Sequence, residues 1–356
     1  MTRNAVSEAA PAAPRPNGHR KPLIVDLALQ GGGAHGAFTW GVLDRILEEE
    51  WLLIDAISGT SAGAMNAAVL AAGFAKGGAQ GARVGLEHFW RAVSDAARFS
   101  PLQRGPLDIL LGRWTMDNSP AYLMVDLMSR VLSPYSLDMP GKNGLRNILE
   151  QCIDFKGIAM SPIHVFVTAT NVHTGRGRVF RNDTITPEVL LASACLPSMF
   201  QAVEIDGDFY WDGGYSGNPT LTPLVRYCKA DDMILVPINP IERADVPRTA
   251  SEIINRLNEI SFNAVALKEL RMIAMLRKVV DCGDGEGAKW ASLRLHRVSN
   301  DIMNSLGASS KVITEWPFLT MLRDEGRKSA QAFLDAHGED LGKRSTLDID
   351  ALLEGV

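Results

Sequence analysis

Residues 54–63 read IDAISGTSAG, a short apolar run that passes directly into a serine flanked by glycines. The run is typical of a buried strand, and the small, apolar segment at 64–74 is typical of a helix that packs closely on a sheet. Strand, sharp turn and helix are the context in which G-x-S-x-G carries a nucleophile. The pattern predicts that Ser61 is nucleophilic and that Gly59 and Gly63 relieve crowding at its turn. The alternative is a chance turn whose serine caps a helix.

The segment before this one predicts the same order of elements. A branched apolar run at 23–29 indicates a strand, QGGGAHG follows at 30–36, and apolar residues recur at helical spacing through 36–50. Consecutive glycines expose backbone N–H groups, and two such donors beside a serine can stabilise an oxyanion. The candidate donors are Gly31, Gly32 and Gly33.

The same glycines allow a second interpretation. Gly31, Gly33 and Gly36 match the spacing G-x-G-x-x-G of dinucleotide-binding loops, which is a weak signal by itself. An acidic residue for the ribose would be sought near Asp55, but Asp55 precedes the core of the second strand instead of ending it. A nucleotide-binding module without catalytic function therefore stays open as an alternative.

The candidate general base lies far along the chain. A serine hydroxyl needs a proton acceptor within hydrogen-bonding reach. The segment FYWDGG at 209–214 places Asp212 at the end of an aromatic, strand-like run, and Gly213 and Gly214 permit close approach of the chain behind it. Asp-Gly is also common in simple turns, so the alternative is that Asp212 only begins one.

The remaining pattern predicts an α/β fold with a mainly parallel sheet. Strands are expected at 163–170, 177–181 and 233–238, and a long helix without Pro or Gly is expected at 251–280. The predicted organisation is a disordered tail at 1–22, a catalytic domain at 23–240, and a mostly helical extension at 241–356 packed on that domain.

Composition excludes several classes of protein. The formal net charge of −5 gives no basic footprint for nucleic acid. The four cysteines, far apart and without a C-x-x-C pair, suggest neither a disulfide framework nor a zinc site, and we expect no metal and no cofactor. The N-terminal residues lack the apolar core of a signal peptide, and no apolar run is long enough to span a bilayer. These features predict a cytoplasmic protein.

Three motifs in this order, GGGAHG at 31–36, GTSAG at 59–63 and DGG at 212–214, resemble the patatin-like phospholipase family. The resemblance covers about residues 23–240 and implies a three-layer patatin-like fold with helices on both faces of the sheet. It also implies a Ser61–Asp212 dyad, backbone oxyanion donors in the glycine loop, and hydrolysis of lipid acyl esters. His35 departs from the family, which often has Arg or Lys there. The C-terminal hundred residues resemble an extension found in bacterial members.

Other assignments stay open beside this one. An ordinary α/β-hydrolase would use Ser61, Asp212 and His296 as a triad in that chain order. The expected partner is a lipid or acyl-ester substrate, with contact at a lipid surface as a further possibility. The long helix at 251–280 suits either a core position or a homodimer contact better than a membrane.

Overall fold

The computed structural model describes residues 20–98, 100–136, 144–280 and 285–351. In this part of the chain, eight strands form one mixed sheet. In chain order the strands are β1 (Leu23–Leu29), β2 (Leu52–Gly59), β3 (His164–Asn171), β4 (Gly177–Arg181), β5 (Val203–Ile205), β6 (Asp208–Asp212), β7 (Asp232–Val236) and β8 (Arg294–Arg297).

Helices connect these strands and cover the sheet. In chain order they are α1 (Gly36–Ile46), α2 (Ala62–Ala96), α3 (Pro106–Leu110), α4 (Pro120–Val131), α5 (Gly144–Cys152), α6 (Phe155–Met160), α7 (Pro187–Ser193), α8 (Thr222–Tyr227), α9 (Ala250–Val279), α10 (Glu286–Ser292), α11 (Ile302–Ser305) and α12 (Trp316–His337). The helix predicted at 64–74 forms the first part of α2, which continues to Ala96 after an interruption at Gly77 and Gly78, whose backbone angles are not helical.

The strand order brings the polar loops to one edge of the sheet. Followed through hydrogen-bonded neighbours, the strands run β5-β6-β3-β2-β1-β7-β8, and β4 also pairs with β3. Strands β1, β2, β3, β7 and β8 are mutually parallel. The carboxyl ends of parallel strands lie at the same edge, which is where ligand sites form in open α/β sheets. The predicted α/β class with a mainly parallel sheet is confirmed.

One face of the sheet is covered by α1, α2 and α12. Helices α1 and α12 cross at glycines: a Cβ on Gly41 would lie 1.9 Å from the Arg323 carbonyl oxygen, and one on Gly326 would lie 2.1 Å from that of Phe38. Apolar side chains of α12, including Phe318 and Leu322, belong to the same buried cluster as α1. The C-terminal region therefore contributes to the main core.

The opposite face carries a smaller core formed with α8, α9 and α10. Leu270, Ile273 and Ala274 of α9 are buried there. Strand β8, also from the C-terminal region, extends the sheet beside β7. Helices thus lie on both faces, as predicted for a three-layer fold, and the boundary proposed at residue 240 stays a prediction.

Most of the predicted tail, residues 1–19, lies outside the described residues, as does Cys282. Arg20 is described and pairs with Glu339 at 2.6 Å. Cys152, Cys195 and Cys228 are free thiols. Among the described helices, none combines the length and apolar character that crossing a bilayer requires.

Candidate active site

Ser61 lies in a strained turn between β2 and α2. Its φ is 52°, in the left-handed region that side chains disfavour. The turn closes because its neighbours lack side chains: a Cβ on Gly59 would lie 2.6 Å from the Gly63 backbone, and one on Gly63 would lie 2.3 Å from the Leu29 carbonyl oxygen. Strain of this kind fixes a serine at the N-terminus of the following helix, which is the geometry of a nucleophile elbow.

Neighbouring hydroxyl groups hold this turn in place. The Ser61 N–H donates to Ser193 Oγ at 2.9 Å, and the Ser193 hydroxyl donates in turn to the Thr168 carbonyl at 2.7 Å. The buried Thr60 hydroxyl donates to the Gly217 carbonyl at 2.6 Å. The elbow is therefore tied to α7, to β3 and to the segment that follows Asp212.

The register of β3 explains how Ser61 and Asp212 meet. Strand β2 ends where Gly59 pairs with Val167 of β3, and β6 ends where Asp212 pairs with Ala169. Because β4 pairs with β3 across this same stretch, it occupies one edge of β3, and β2 and β6 must share the other. The pairing of β2 with β3 therefore ends just before Ser61, next to the position where β6 ends at Asp212.

Both glycines after Asp212 lie in close contact with other parts of the chain. A Cβ on Gly213 would lie 2.1 Å from the Thr168 carbonyl oxygen, and one on Gly214 would lie 2.9 Å from the Phe262 ring of α9. The Gly214 N–H donates to Asp212 Oδ1 at 2.7 Å, so this short turn also orients the carboxylate.

Asp212 is only 3% exposed. Burial raises the pKa of its carboxyl to about 7, because the charged form loses hydration; hydrogen bonds from the Gly214 N–H and the Ser61 hydroxyl oppose this rise. Asp212 thus lies beside the Ser61 hydroxyl with a pKa near neutrality, which suits a general base.

The glycine loop lies against the elbow. A Cβ on Gly31 would meet Ser61 Cβ at 2.7 Å, and one on Gly36 would meet Ala62 Cβ at the same distance. The Gly31 N–H donates to Asn218 Oδ1 at 2.6 Å and is therefore already used. Within the described chain, no acceptor is found for the N–H groups of Gly32 and Gly33, which leaves them as the loop's available donors.

Three amide side chains that sequence analysis missed hold this loop. Besides accepting from Gly31, Asn218 lies on the segment behind Asp212. Asn239, after β7, donates from Nδ2 to the Gly31 carbonyl at 2.6 Å. Gln30 Oε1 accepts from the N–H groups of Ile238 and Asn239 at 2.8 and 2.7 Å. The only local signal was the position of Asn239 just beyond a parallel strand, at the edge where sites form.

His35, the departure from the family pattern, is buried and bonded through Nε2 to Ser310 Oγ at 2.7 Å. Burial, followed by the positive charges of Lys311 and Arg243, lowers the pKa of His35 to about 3. The imidazole is therefore neutral at physiological pH and supplies no cation at this position.

The two rival assignments lack the contacts they require. His296 lies on β8, three strands from β2, which corresponds to about 14 Å. Its ring nitrogens are bonded to Asp232 and Thr346, both at 3.0 Å, so it does not complete a triad with Ser61. Asp55 is the bulged residue of β2, far from the glycine loop, and accepts from the Lys229 N–H at 2.8 Å instead of facing a ribose site.

One cluster of the described residues has metal-ligating atoms close together. Oxygen atoms of Asp26 and Asp55 and the Cys228 sulfur lie within 4.8 Å of one another, away from the elbow. Burial and the neighbouring Asp55 charge raise the pKa of Asp26 to about 8, while Lys289 and a hydrogen bond from Ala56 lower it. Asp26 is consequently protonated at neutral pH, and Lys289 already supplies positive charge to the cluster.

Comparison with known proteins places this chain in a family. A model of the patatin-like phospholipases matches residues 27–225, which include the glycine loop, Ser61 and Asp212. Curated proteins gave no significant match. Among solved structures, the chain is similar to the crystal structure of VipD from Legionella pneumophila, with 13% identity, a TM-score of 0.41, and coverage of 89% of this chain and 67% of that one. Since the family model spans more than half of the sequence, this chain belongs to the patatin-like phospholipase family.

Proposed function

We propose that this protein hydrolyses carboxylic ester bonds of lipids, with Ser61 as nucleophile and Asp212 as general base. Membership of the family implies lipid acyl hydrolysis. The assignment to residues depends on one observation: at a strained elbow, the Ser61 side chain lies close enough to the buried Asp212 carboxyl to oppose the rise of its pKa, which burial brings to about 7.

In the first half of the reaction, Ser61 Oγ attacks the ester carbonyl while its proton passes to Asp212. The oxyanion that forms accepts hydrogen bonds from the loop. Of the three predicted donors, we retain the N–H groups of Gly32 and Gly33, since that of Gly31 is engaged by Asn218. The tetrahedral intermediate collapses to an acyl-serine, and the leaving alcohol takes the proton from Asp212.

In the second half, water attacks the acyl-serine and gives its proton to Asp212. Collapse of this second intermediate releases the fatty acid, and the proton returns from Asp212 to Ser61 Oγ. One carboxylate can serve both halves because it borders the same oxygen throughout. No histidine is needed, since a carboxyl with a pKa near 7 carries the proton itself.

Labelling by a fluorophosphonate tests the nucleophile directly. We expect the probe to modify Ser61 and the protein to hydrolyse p-nitrophenyl esters, whereas Ser61→Ala abolishes both properties. Asp212→Asn should reduce turnover by at least 10²-fold, on the order expected for loss of general base catalysis. Ser305→Ala, at an exposed serine on α11, is the matched control and should behave as wild type.

Turnover retained by Ser61→Ala would contradict the proposal. Comparison of short-chain esters, long-chain esters and phospholipid vesicles then distinguishes phospholipid from neutral lipid and polyester substrates. Pocket shape determines that preference, and the residues of the dyad do not.

We also propose that the region around α4 meets the lipid surface. Helix α4 has no buried residue, and it exposes Leu123, Met124, Leu127 and Val131. The segment after α4 contacts the chain just before β5, because the Gln201 side chain donates to the Pro134 carbonyl at 3.1 Å. Strand β5 pairs with β6, the strand that ends at Asp212. A homodimer through the exposed side chains of α9 and a cytoplasmic location both stay predictions.

A further inference from the structure

The peptide group between Gly31 and Gly32 has two different sides. Its carbonyl oxygen accepts the Asn239 amide at 2.6 Å. Its N–H, which belongs to Gly32, has no acceptor among the described residues and is one of the two proposed oxyanion donors. A hydrogen bond to the carbonyl of a peptide polarises the group and makes its N–H a stronger donor. Whatever orients Asn239 therefore acts on the oxyanion site.

Lys311 determines the orientation of the Asn239 side chain. Its ammonium donates to Asn239 Oδ1 at 2.6 Å. An ammonium group can only donate, so the side facing Lys311 must be the amide oxygen, and the NH₂ group must face Gly31. The Asn239 backbone is fixed as well, because its N–H donates to Gln30 Oε1 at 2.7 Å.

Lys311 is itself held against the loop by its backbone. A Cβ on Gly33 would lie 2.5 Å from the Lys311 carbonyl oxygen, so only glycine allows this contact. The preceding residue, Ser310, bonds His35 at 2.7 Å. The segment Ala308–Val312 of the C-terminal region thus packs directly on the glycine loop.

These contacts form an ordered chain of donors that begins at a positive charge. The Lys311 ammonium donates to the Asn239 side chain, which donates to the Gly31 carbonyl. The same peptide group carries the Gly32 N–H, which is the last donor of the chain. We propose that Lys311 is a positioning residue of the esterase, which orients and polarises the Gly31–Gly32 peptide through Asn239 so that Gly32 N–H stabilises the oxyanion. The inference rests on the proposed function and adds to it a cation from the C-terminal region.

The test uses the intact protein and a p-nitrophenyl ester. Lys311→Met keeps the length of the side chain but removes its charge and its donors. We expect kcat to fall about 10- to 100-fold with KM changed less than about twofold, a part of the 10²- to 10³-fold effect of losing an oxyanion donor. Lys311→Arg should recover most of the rate. Lys328→Met, at an exposed lysine of α12, is the matched control and should leave kcat unchanged.

Asn239→Asp separates this role from simple packing. The aspartate keeps the size of the side chain and strengthens its contact with Lys311, yet it has no N–H for the Gly31 carbonyl. We expect a loss of kcat at least as large as that of Lys311→Met, with a thermal midpoint near that of wild type. Wild-type kcat in folded Asn239→Asp, or in folded Lys311→Met, would overturn the inference.

The pH profile gives a readout that a purely structural lysine would not change. Burial, aided by Arg243, lowers the pKa of Lys311 to about 8, while Glu259 opposes the shift; neutral His35 is the other ionisable neighbour. We expect kcat of wild type to fall above about pH 8 and this alkaline limb to move upward in Lys311→Arg, because a guanidinium keeps its proton. An identical limb in both proteins would contradict the role of Lys311.

Failure of the inference is distinguishable from failure of the proposed function. If wild type is labelled at Ser61 and hydrolyses esters while the Lys311 and Asn239 variants match it, only the positioning role is wrong. If wild type is neither labelled nor active, the proposed function is wrong, and the positioning role is wrong with it.

Discussion

At the scale of single residues, burial sets the chemistry of Asp212. An exposed aspartate would be a poor base, because it has little affinity for a proton at neutral pH. Burial of Asp212 raises its affinity for a proton, while the hydrogen bond from the Gly214 N–H stabilises the ionised carboxylate and limits that rise. The same desolvation leaves His35 neutral. Two ionisable groups near one loop thus acquire different roles from their surroundings and not from their intrinsic chemistry.

The first prediction concerns the acid limb of the pH profile. If Asp212 is the base, as we propose, it must be unprotonated to accept the Ser61 proton, and its raised pKa of about 7 means that protonation begins near neutrality. We expect kcat/KM for a neutral ester to fall about tenfold per pH unit below about pH 7. Asp208→Asn, at a half-exposed carboxyl of the same strand, is the control and should keep this limb. A limb that begins only below about pH 5 would indicate an ordinary aspartate instead.

At the scale of elements, the site depends on which strands share an edge. Strands β2 and β6 pair with successive stretches of the same edge of β3. The turn after β2, which carries Ser61, therefore lies next to Asp212 at the end of β6. Local sequence predicted both segments, but their registers are set by pairing with β3. Helix α9 then closes the region behind Asp212 through Phe262, and Asn263 accepts from Gln30 at 2.7 Å.

The second prediction concerns α4, whose apolar side chains are exposed on the surface of the protein. If they meet lipid, a charge at the centre of that surface should weaken binding, because charged groups are costly in an apolar phase. We expect Leu127→Glu to lower cosedimentation with phospholipid vesicles severalfold while hydrolysis of a dissolved short-chain ester stays unchanged.

A control substitution places the same charge elsewhere. Val84→Glu, at an exposed apolar residue of α2, should retain vesicle binding. Equal binding by wild type and Leu127→Glu would show that α4 is not the lipid-facing surface.

At the scale of the whole molecule, the C-terminal region belongs to the sheet and to the core. Strand β8 extends the sheet beside β7, and α12 crosses α1 at glycines that permit backbone contact. Phe318 and Leu322 of α12 are buried in the same cluster as side chains of α1. Without α12, the apolar side chains of α1 would be exposed to water. The same region brings Lys311 to the glycine loop.

The third prediction follows from this arrangement. A chain truncated after residue 240 loses β8, α9 and α12 together, so α1 and the outer face of β7 would be exposed to water. We expect the truncated protein to be insoluble or to lack a cooperative thermal transition, whereas removal of residues 1–19 alone should leave the transition of the full chain intact. A stable, cooperatively folding 20–240 fragment would show that the C-terminal region is dispensable for the fold.

Sequence alone determined the alternation of strands and helices, the elbow at Ser61, the glycine loop and the candidate base at Asp212. These features depend on local periodicity and on residues with special backbone freedom, and both can be read along the chain. It did not show that Gly31 is already bonded to Asn218, nor that Asn239 and Lys311 reach the loop from more than 200 positions away. Ordinary amide and ammonium side chains carry no local signature of their partners. Only the packing of distant strands and helices decides which of them meet.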